Sequence, residues 1–287
     1  MPELPEVQAL AADLDSRLRG RTVDRLQVVA FPALKTYDPP VEALSGCAIT
    51  AVSRRGKFLD IATDRATHLV IHLARAGWIR WRQSAPQTSG RPGHGPLAAR
   101  LVLDDGSGFD VTEAGTKKSL ALYIVRDPAE VPGIARLGPD PLDAGFTLGV
   151  FRGILASHGR TQLKGLLRDQ SVIAGIGNAY SDEILHVAKM SPYKPAAMGD
   201  DDSAALYEAL RSTLTDAVVR SQGVAATELK SEKKSNLRVH GRFGEPCPVC
   251  GTVIQQVIYA DRTFQYCPGC QTGGKKLSDR VLDRLLK

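Results

Sequence analysis

Met1-Pro2-Glu3-Leu4-Pro5-Glu6-Val7 opens the chain, and it supports two readings. The structural one is a helix start. Proline suits the first turn of a helix and acids suit its positive end. Leu4, Val7, Leu10, Leu14 and Leu18 then recur at helical spacing until Gly20 stops the run. The chemical reading depends on removal of Met1. Pro2 then presents a secondary amine with Glu3 beside it. A free α-amine has a pKa of about 7.7–8.0, against about 10.4 for lysine, so roughly a tenth of it is unprotonated at neutral pH. Such an amine attacks sugar or carbonyl carbon and forms Schiff bases. The neighbouring carboxylate can carry the proton. A helix that buries one face would also hold its own start in place, which is unusual for a terminus.

Outward from this helix, the next hundred residues alternate as strands do. Ile49 to Ser53 and Phe58 to Ala62 flank a hairpin-like turn, Arg54-Arg55-Gly56-Lys57. His68 to Leu73, Trp78 to Arg82, Ala99 to Asp104 and Leu120 to Val125 read as further strands, and Asp105-Gly106 as another hairpin signal. Gln83 to Pro96 reads as a loop. The first half is thus expected to be a β-sandwich or barrel with a helix attached. Asp127 to Gly145 is rich in Pro and Gly and reads as a linker. Beyond it the period becomes helical. Leu148, Phe151, Ile154 and Leu155 form one stripe, and Leu163, Leu166 and Leu167 another. Ser203 is expected to cap a long helix bearing Leu206, Leu210, Leu214 and Val218. Between them, Ala174-Gly175-Ile176-Gly177-Asn178-Ala179-Tyr180 places two glycines before a helix, whose first amides can face a phosphate. On its own this turn also fits a plain connection between helices.

Near the end stand Cys247-Pro248-Val249-Cys250 and Cys267-Pro268-Gly269-Cys270. Two C-x2-C knuckles sixteen residues apart predict one structural Zn2+ held by four thiolates. The module from about Asn236 reads as a zinc ribbon with strands around Val253 to Tyr259 and a basic helical tail. Cys47 reads as a small buried residue.

Composition bounds what remains. The chain has 287 residues, 43% of them apolar, with 37 Lys+Arg against 31 Asp+Glu, a formal charge of +6. Four thiolates on one Zn2+ would lower that to about +4. The excess is compatible with a polyanionic partner. Five basic residues between Lys230 and Arg242 face the single acid Glu232, which fits a solvated loop as well as a polyanion contact. No apolar run is long enough to span a membrane. No basic residue precedes Arg17, unlike a signal peptide, so an intracellular protein is expected.

Taken together, these segments resemble the formamidopyrimidine-DNA glycosylase/endonuclease VIII family of bifunctional base-excision repair enzymes. The residues that carry the resemblance are Pro2 to Val7, Arg55-Gly56-Lys57, His72-Leu73, Gly175 to Tyr180, Val239-His240-Gly241-Arg242 and the cysteines ending at Cys270-Gln271. The resemblance implies an α+β multidomain protein. Residues 1–126 would form an N-terminal helix plus β-sandwich, 127–146 a linker, 147–235 a helix–two-turn–helix domain and 236–287 a zinc finger. It implies damaged DNA as partner, held between the halves, a monomer, and a place in the bacterial cytoplasm near the nucleoid. Pro2 would attack C1′ of the damaged nucleotide, displace the base and form a Schiff base, with β,δ-elimination nicking the strand. Glu3 would handle the sugar-ring proton and Glu6 would support the pocket. Lys57, Asn178 and Arg262 would hold phosphates around the lesion, with His72, Lys164 and Tyr180 as secondary backbone contacts. A non-catalytic protein that binds damaged DNA is the alternative.

The resemblance breaks in two places. Where the family's formamidopyrimidine branch fills the hole left by the flipped base with Met, Arg and Phe, this chain has Arg75 and the stretch Thr112-Glu113-Ala114-Gly115-Thr116-Lys117-Lys118. Arg75 or the Gly115–Lys118 loop is expected to take that place, since a cation can stack on bases. Gln222 to Asn236, where the oxidised-purine branch carries a base-capping loop, is short and charged here. The lesion therefore stays open among oxidised pyrimidines, ring-opened purines, abasic sites and single-stranded lesions.

Overall fold

Burial of one face of an N-terminal helix organises the first half of the chain. In the computed structural model, residues 1–86, 95–259 and 262–277 are described, and the side chains of Tyr259 and Arg262 lie outside the described set. The proposed basic tail and most of the expected Gln83–Pro96 loop also fall outside it. The chain divides into two compact units. One comprises Met1–Leu137 with Ser221–Leu229, the other Gly138–Arg220 with Lys230–Lys287.

In the first unit, α1 (Leu4–Leu18) buries Leu4, Val7, Leu10, Leu14 and Leu18 to 1% exposure or less, as its spacing predicts. Among the described residues eight strands follow: β1 (Val23–Val28), β2 (Ile49–Arg55), β3 (Phe58–Thr63), β4 (His68–His72), β5 (Gly77–Arg82), β6 (Leu97–Leu103), β7 (Gly108–Glu113) and β8 (Ala121–Val125). They form two antiparallel sheets of order β1-β6-β7-β5 and β2-β3-β4-β8, with one apolar core between them and α1. The β-sandwich is therefore present. Strands β1 and β7 are additions to the sequence reading. A register irregularity between Val23 and Arg25 breaks the alternation of β1. All six residues of β7 are buried, Asp110 and Glu113 included, so β7 shows no alternation.

Ser221–Leu229 also belongs here. Leu229 lies in the sandwich core with Val224 and Ala226 packed beside it, and Trp78 Nε1 donates to the Ala226 carbonyl at 2.8 Å. The stretch expected as a short charged loop is thus partly apolar and anchored, and its charged remainder lies in α7 (Leu229–Asn236).

The helix α2 (Pro132–Ala135) lies at the close of the first unit's main segment, and the second unit begins at Gly138. Its helices are α3 (Leu148–Ser157), α4 (Leu163–Arg168), α5 (Asn178–Val187) and α6 (Asp200–Ser221). Leu206, Leu210 and Leu214 of α6 are fully buried, with Ala217 rather than Val218 completing the stripe. Ser203 does not cap this helix. Asp200, Asp201 and Asp202 extend it by a turn, since three acids suit its positive end. The Ser203 hydroxyl donates to the Asp200 carbonyl instead. The cysteine module follows as a two-stranded hairpin, β9 (Gln255–Tyr259) and β10 (Arg262–Tyr266), and a short helix α8 (Pro268–Gln271). Among the described residues no helix is long and apolar enough to cross a membrane.

One glycine decides how the β4–β5 connection turns. Gly77 donates its amide to the Leu73 carbonyl at 2.8 Å, so close that a Cβ there would sit 2.2 Å from the carbonyl oxygen. Gly77→Ala is expected to cost at least about 2 kcal/mol of stability, as backbone strain at such positions does. A urea titration checks it.

Candidate active site and nucleic-acid interface

The helix start is fixed by its own carboxylates. Glu6 Oε2 accepts the Glu3 amide at 2.8 Å and the Glu3 side chain accepts the Glu6 amide in return, a capping box. Pro2, Glu3 and Glu6 are buried, the last two to 2% and 1% exposure, while Met1 is half exposed. Contacts along α1 give its direction on the sheet. Gly20 bonds Ile49, Asp15 accepts the Val52 amide, and Gln8 accepts Arg54 Nε at 2.9 Å. The start of α1 therefore points to the end of β2 that carries the Gly56-Lys57 turn.

That sheet end gathers three of the expected residues. Lys57 is 8% exposed and directly precedes β3. Phe58 pairs with His72 across β3 and β4, and their rings lie 4.6 Å apart. Burial, and then the Lys57 charge, lowers the His72 pKa from 6.5 to about 4, so the ring is neutral at pH 7. Past His72 the chain makes a tight turn in which Ala74 adopts φ +49° and Arg75 stands exposed.

The second candidate for filling the base gap lies alongside. Gly77 pairs with Glu113, and the Ala114 amide donates to Ala76. Glu113 is 3% exposed and its Oε1 accepts the amides of Ser119 and Leu120 at 2.7 and 3.0 Å. That carboxylate closes the exposed loop 114–119 at its base. Arg75 and the Gly115–Lys118 loop are thus neighbouring rims of one unit.

In the second unit, Gln170 braces the glycine turn. Its amide donates to the Ile176 carbonyl at 2.7 Å, and its oxygen accepts the Gly175 amide at 3.0 Å. Gly175 sits at φ +87°, a conformation suited to glycine. Gly177 is the N-cap and Asn178 the first residue of α5. Asn178 Nδ2 donates to the Thr263 carbonyl of β10 at 2.6 Å, and its Oδ1 is buried without a partner among the described residues.

Lys164, expected as a secondary backbone contact, is bonded within the second unit. It is 5% exposed, and Nζ donates to Asn178 O, Ser181 Oγ and Asp182 Oδ1 at 2.8, 2.7 and 2.6 Å. It positions the first turn of α5 from within. Tyr180, expected as a secondary backbone contact, is 3% exposed, with Lys233 Nζ 4.5 Å from its ring centroid. Arg262 opens β10 opposite Tyr259, and its side chain lies outside the described residues.

The four module cysteines are free thiols whose sulfurs converge. Cys250 Sγ lies 3.3 Å from Cys267 Sγ and 3.4 Å from Cys270 Sγ, and Cys247 Sγ lies 3.9 Å from Cys270 Sγ. Tetrahedral bonds of about 2.3 Å to one ion require sulfurs about 3.8 Å apart. The donor set fits a metal ion. His186 joins this group: a ring nitrogen and the sulfurs of Cys247, Cys267 and Cys270 lie within 4.8 Å of one another. Sixty-one residues separate His186 from Cys247, too far for any spacing rule to expose.

Two family models match the chain. One describes the formamidopyrimidine-DNA glycosylase N-terminal domain, over residues 1–116, and the other the H2TH domain of that enzyme, over residues 137–228. A formamidopyrimidine-DNA glycosylase of Heliobacterium modesticaldum is 35% identical over 94% of this chain and 100% of that protein. A formamidopyrimidine-DNA glycosylase-like protein of Mycobacterium tuberculosis is 54% identical over 55% of this chain and 99% of that protein. The crystal structure of MutM (Fpg) from Thermus thermophilus has TM-score 0.80 at 31% identity, covering 96% of this chain and 100% of that one. The Lactococcus lactis Fpg bound to DNA containing an AP site has TM-score 0.80 at 25% identity, covering 94% and 99%. The fold is that of a DNA-repair glycosylase. The chain belongs to the formamidopyrimidine-DNA glycosylase family.

The neutral state of His72 sets a pH dependence. The folded chain protonates His72 near pH 4 and the unfolded chain near 6.5. Between those values the unfolded state binds more protons, so stability falls as pH drops, by up to about 3 kcal/mol. Urea denaturation from pH 7 to pH 4 should show a shallower loss for His72→Gln than for the native chain.

Proposed function

We propose that the chain is a bifunctional DNA glycosylase and abasic-site lyase of base excision repair. It removes oxidised or ring-opened bases and nicks the strand. The observation that carries this reading is the capped start of α1. With Met1 removed, the Pro2 amine is held on a buried helix end that points toward the Lys57 turn. A nucleophile fixed in this way attacks without a large ordering cost.

In this reading Pro2 attacks C1′ of the damaged nucleotide. The bond to the base breaks, the base leaves with a proton, and the amine becomes a Schiff base on the opened sugar. Glu3 passes the sugar-ring proton, and Glu6 holds the Glu3 backbone. Loss of a proton from C2′ then expels the 3′ phosphate, and a second elimination expels the 5′ phosphate. Lys57 holds a flanking phosphate, with His72 as its neutral neighbour. Arg75 or the Glu113-closed loop supplies the group that enters the gap left by the flipped base. The α5 start at Asn178, positioned by Lys164, together with Arg262, holds further phosphates. Tyr180 acts through its cation-capped ring.

Cys247, Cys250, Cys267 and Cys270 hold one Zn2+ whose task is structural, since four protein thiolates leave no open position. In domain terms, 1–126 is catalytic, 147–235 helical and 236–287 the zinc finger, with 127–146 as linker. The protein acts as a monomer on damaged DNA in the bacterial cytoplasm.

Borohydride trapping on DNA carrying an abasic site or a defined lesion tests the mechanism. The processed native chain should become covalently joined to the strand. Retention of Met1 or Pro2→Gly should abolish the adduct, and Glu3→Gln should slow excision by about a hundredfold or more. Tight binding with no adduct across a lesion panel would instead identify a non-catalytic damage-binding protein. A fully active Glu3→Gln chain would remove Glu3 from its role.

A further inference from the structure

Among the described residues, His186 is the one member of the metal-binding group that the cysteine module does not supply. It lies on α5, two turns past Asn178, and is 2% exposed. Its Nε2 is 3.3 Å from Cys247 Sγ, and its Nδ1 is buried without a hydrogen-bond partner among the described residues. Other sulfurs of the cluster meet polar groups of the module itself. Cys250 Sγ lies 3.4 Å from Thr252 Oγ1, and the Cys270 amide donates to Cys267 Sγ at 3.4 Å.

The ring has two possible tasks, and its other nitrogen separates them. A histidine that ligates through Nε2 carries its proton on Nδ1 and normally donates it to a carboxylate, a carbonyl or water. Here that proton would be a buried N–H with no acceptor among the described residues, which is rare in proteins. With the proton on Nε2, the ring donates to the sulfur and Nδ1 is left as a bare acceptor, the lesser fault. Thiolates already number four, enough for a tetrahedron. A donor into one of them draws off part of the −2 charge that four thiolates place on the site, and charge-assisted hydrogen bonds are the stronger kind.

We propose that His186 serves the four-cysteine metal centre as the N–H donor to the Cys247 thiolate, and not as a ligand. This rests on the structural-zinc reading above. The same helix begins at the Asn178 turn, and its Asp182 and Glu183 accept bonds from residues 238–240 and 265 of the cysteine module. His186 extends that row of contacts to the ion's own ligand. Dissociation of Cys247 from the metal then requires breaking a bond to α5 as well.

The test uses the full-length zinc-loaded chain and its variants His186→Phe, which fills the space without a donor, and His186→Gln, which keeps an N–H. Zinc transfer to a chromophoric chelator should be about tenfold faster from His186→Phe, the lower end of outer-shell effects on metal sites, and closer to native from His186→Gln. With cobalt(II) in place of zinc, native and His186→Phe chains should give the same four-thiolate spectrum. Nitrogen-15 NMR of the native zinc-loaded chain gives a reading that needs no variant: His186 Nε2 should appear as a protonated nitrogen. Equal release rates for native and His186→Phe chains would overturn the proposal. So would a three-thiolate, one-nitrogen cobalt spectrum, or a metal-bound Nε2 signal. If the native chain takes up neither zinc nor cobalt, the zinc reading itself is lost, an outcome distinct from normal metal content with no effect at His186.

Discussion

Two adjacent carboxylates in the middle of α5 hold the second unit together. Asp182 is fully buried, and it accepts from Lys164, His240 and the Gln265 amide. Glu183, 3% exposed, accepts the amides of Arg238, Val239 and His240. Burial pushes the Glu183 pKa up, and the three amides oppose that shift. A buried charge costs several kcal/mol to desolvate, and removing one partner of such a pair typically costs about 3–5 kcal/mol. These bonds bring together segments that no local preference would join: α4, the stretch 238–240, and β10. The Asn178 turn and the cysteine module inherit their positions from them.

The first unit solves its own version of this problem with less charge. Its helix docks through five leucines and valines, and the polar bonds from Gln8 and Asp15 to the β2 edge set only its direction. Hydrophobic burial is not directional, so those few bonds decide which end of the sheet receives Pro2 and Glu3. The capping box then removes the last freedom at that end. The residues that open and cap this helix are the ones proposed for chemistry.

Local features were legible in the sequence and distant ones were not. The α1 stripe, the Gly56-Lys57 turn, the cysteine knuckles and the glycine turn each lie within a short window, where periodicity and turn chemistry act. The burial of Lys164 leaves no local signal because its partners are fourteen to eighteen residues away on another helix. His186 was silent for the same reason at sixty-one residues. Strand β7 hid because its two acids are buried with partners, Asp110 with Arg82 and Arg100, Glu113 with the loop it closes. The family resemblance singled out Tyr180, yet only the packing shows Lys233 lying across its ring.

The excursion of residues 221–229 has a consequence for heredity. The sandwich is not encoded by a continuous stretch: its core includes Leu229, and its Trp78 indole is satisfied by Ala226, both supplied after the helical segment. A gene fragment ending near residue 137 would leave that tryptophan without its acceptor and the core with a hole. Recombination with a single crossover between residues 137 and 221 would bring together foreign parts of one hydrophobic core. The two segments of the first unit are thus bound to drift as one lineage, even where their surfaces diverge.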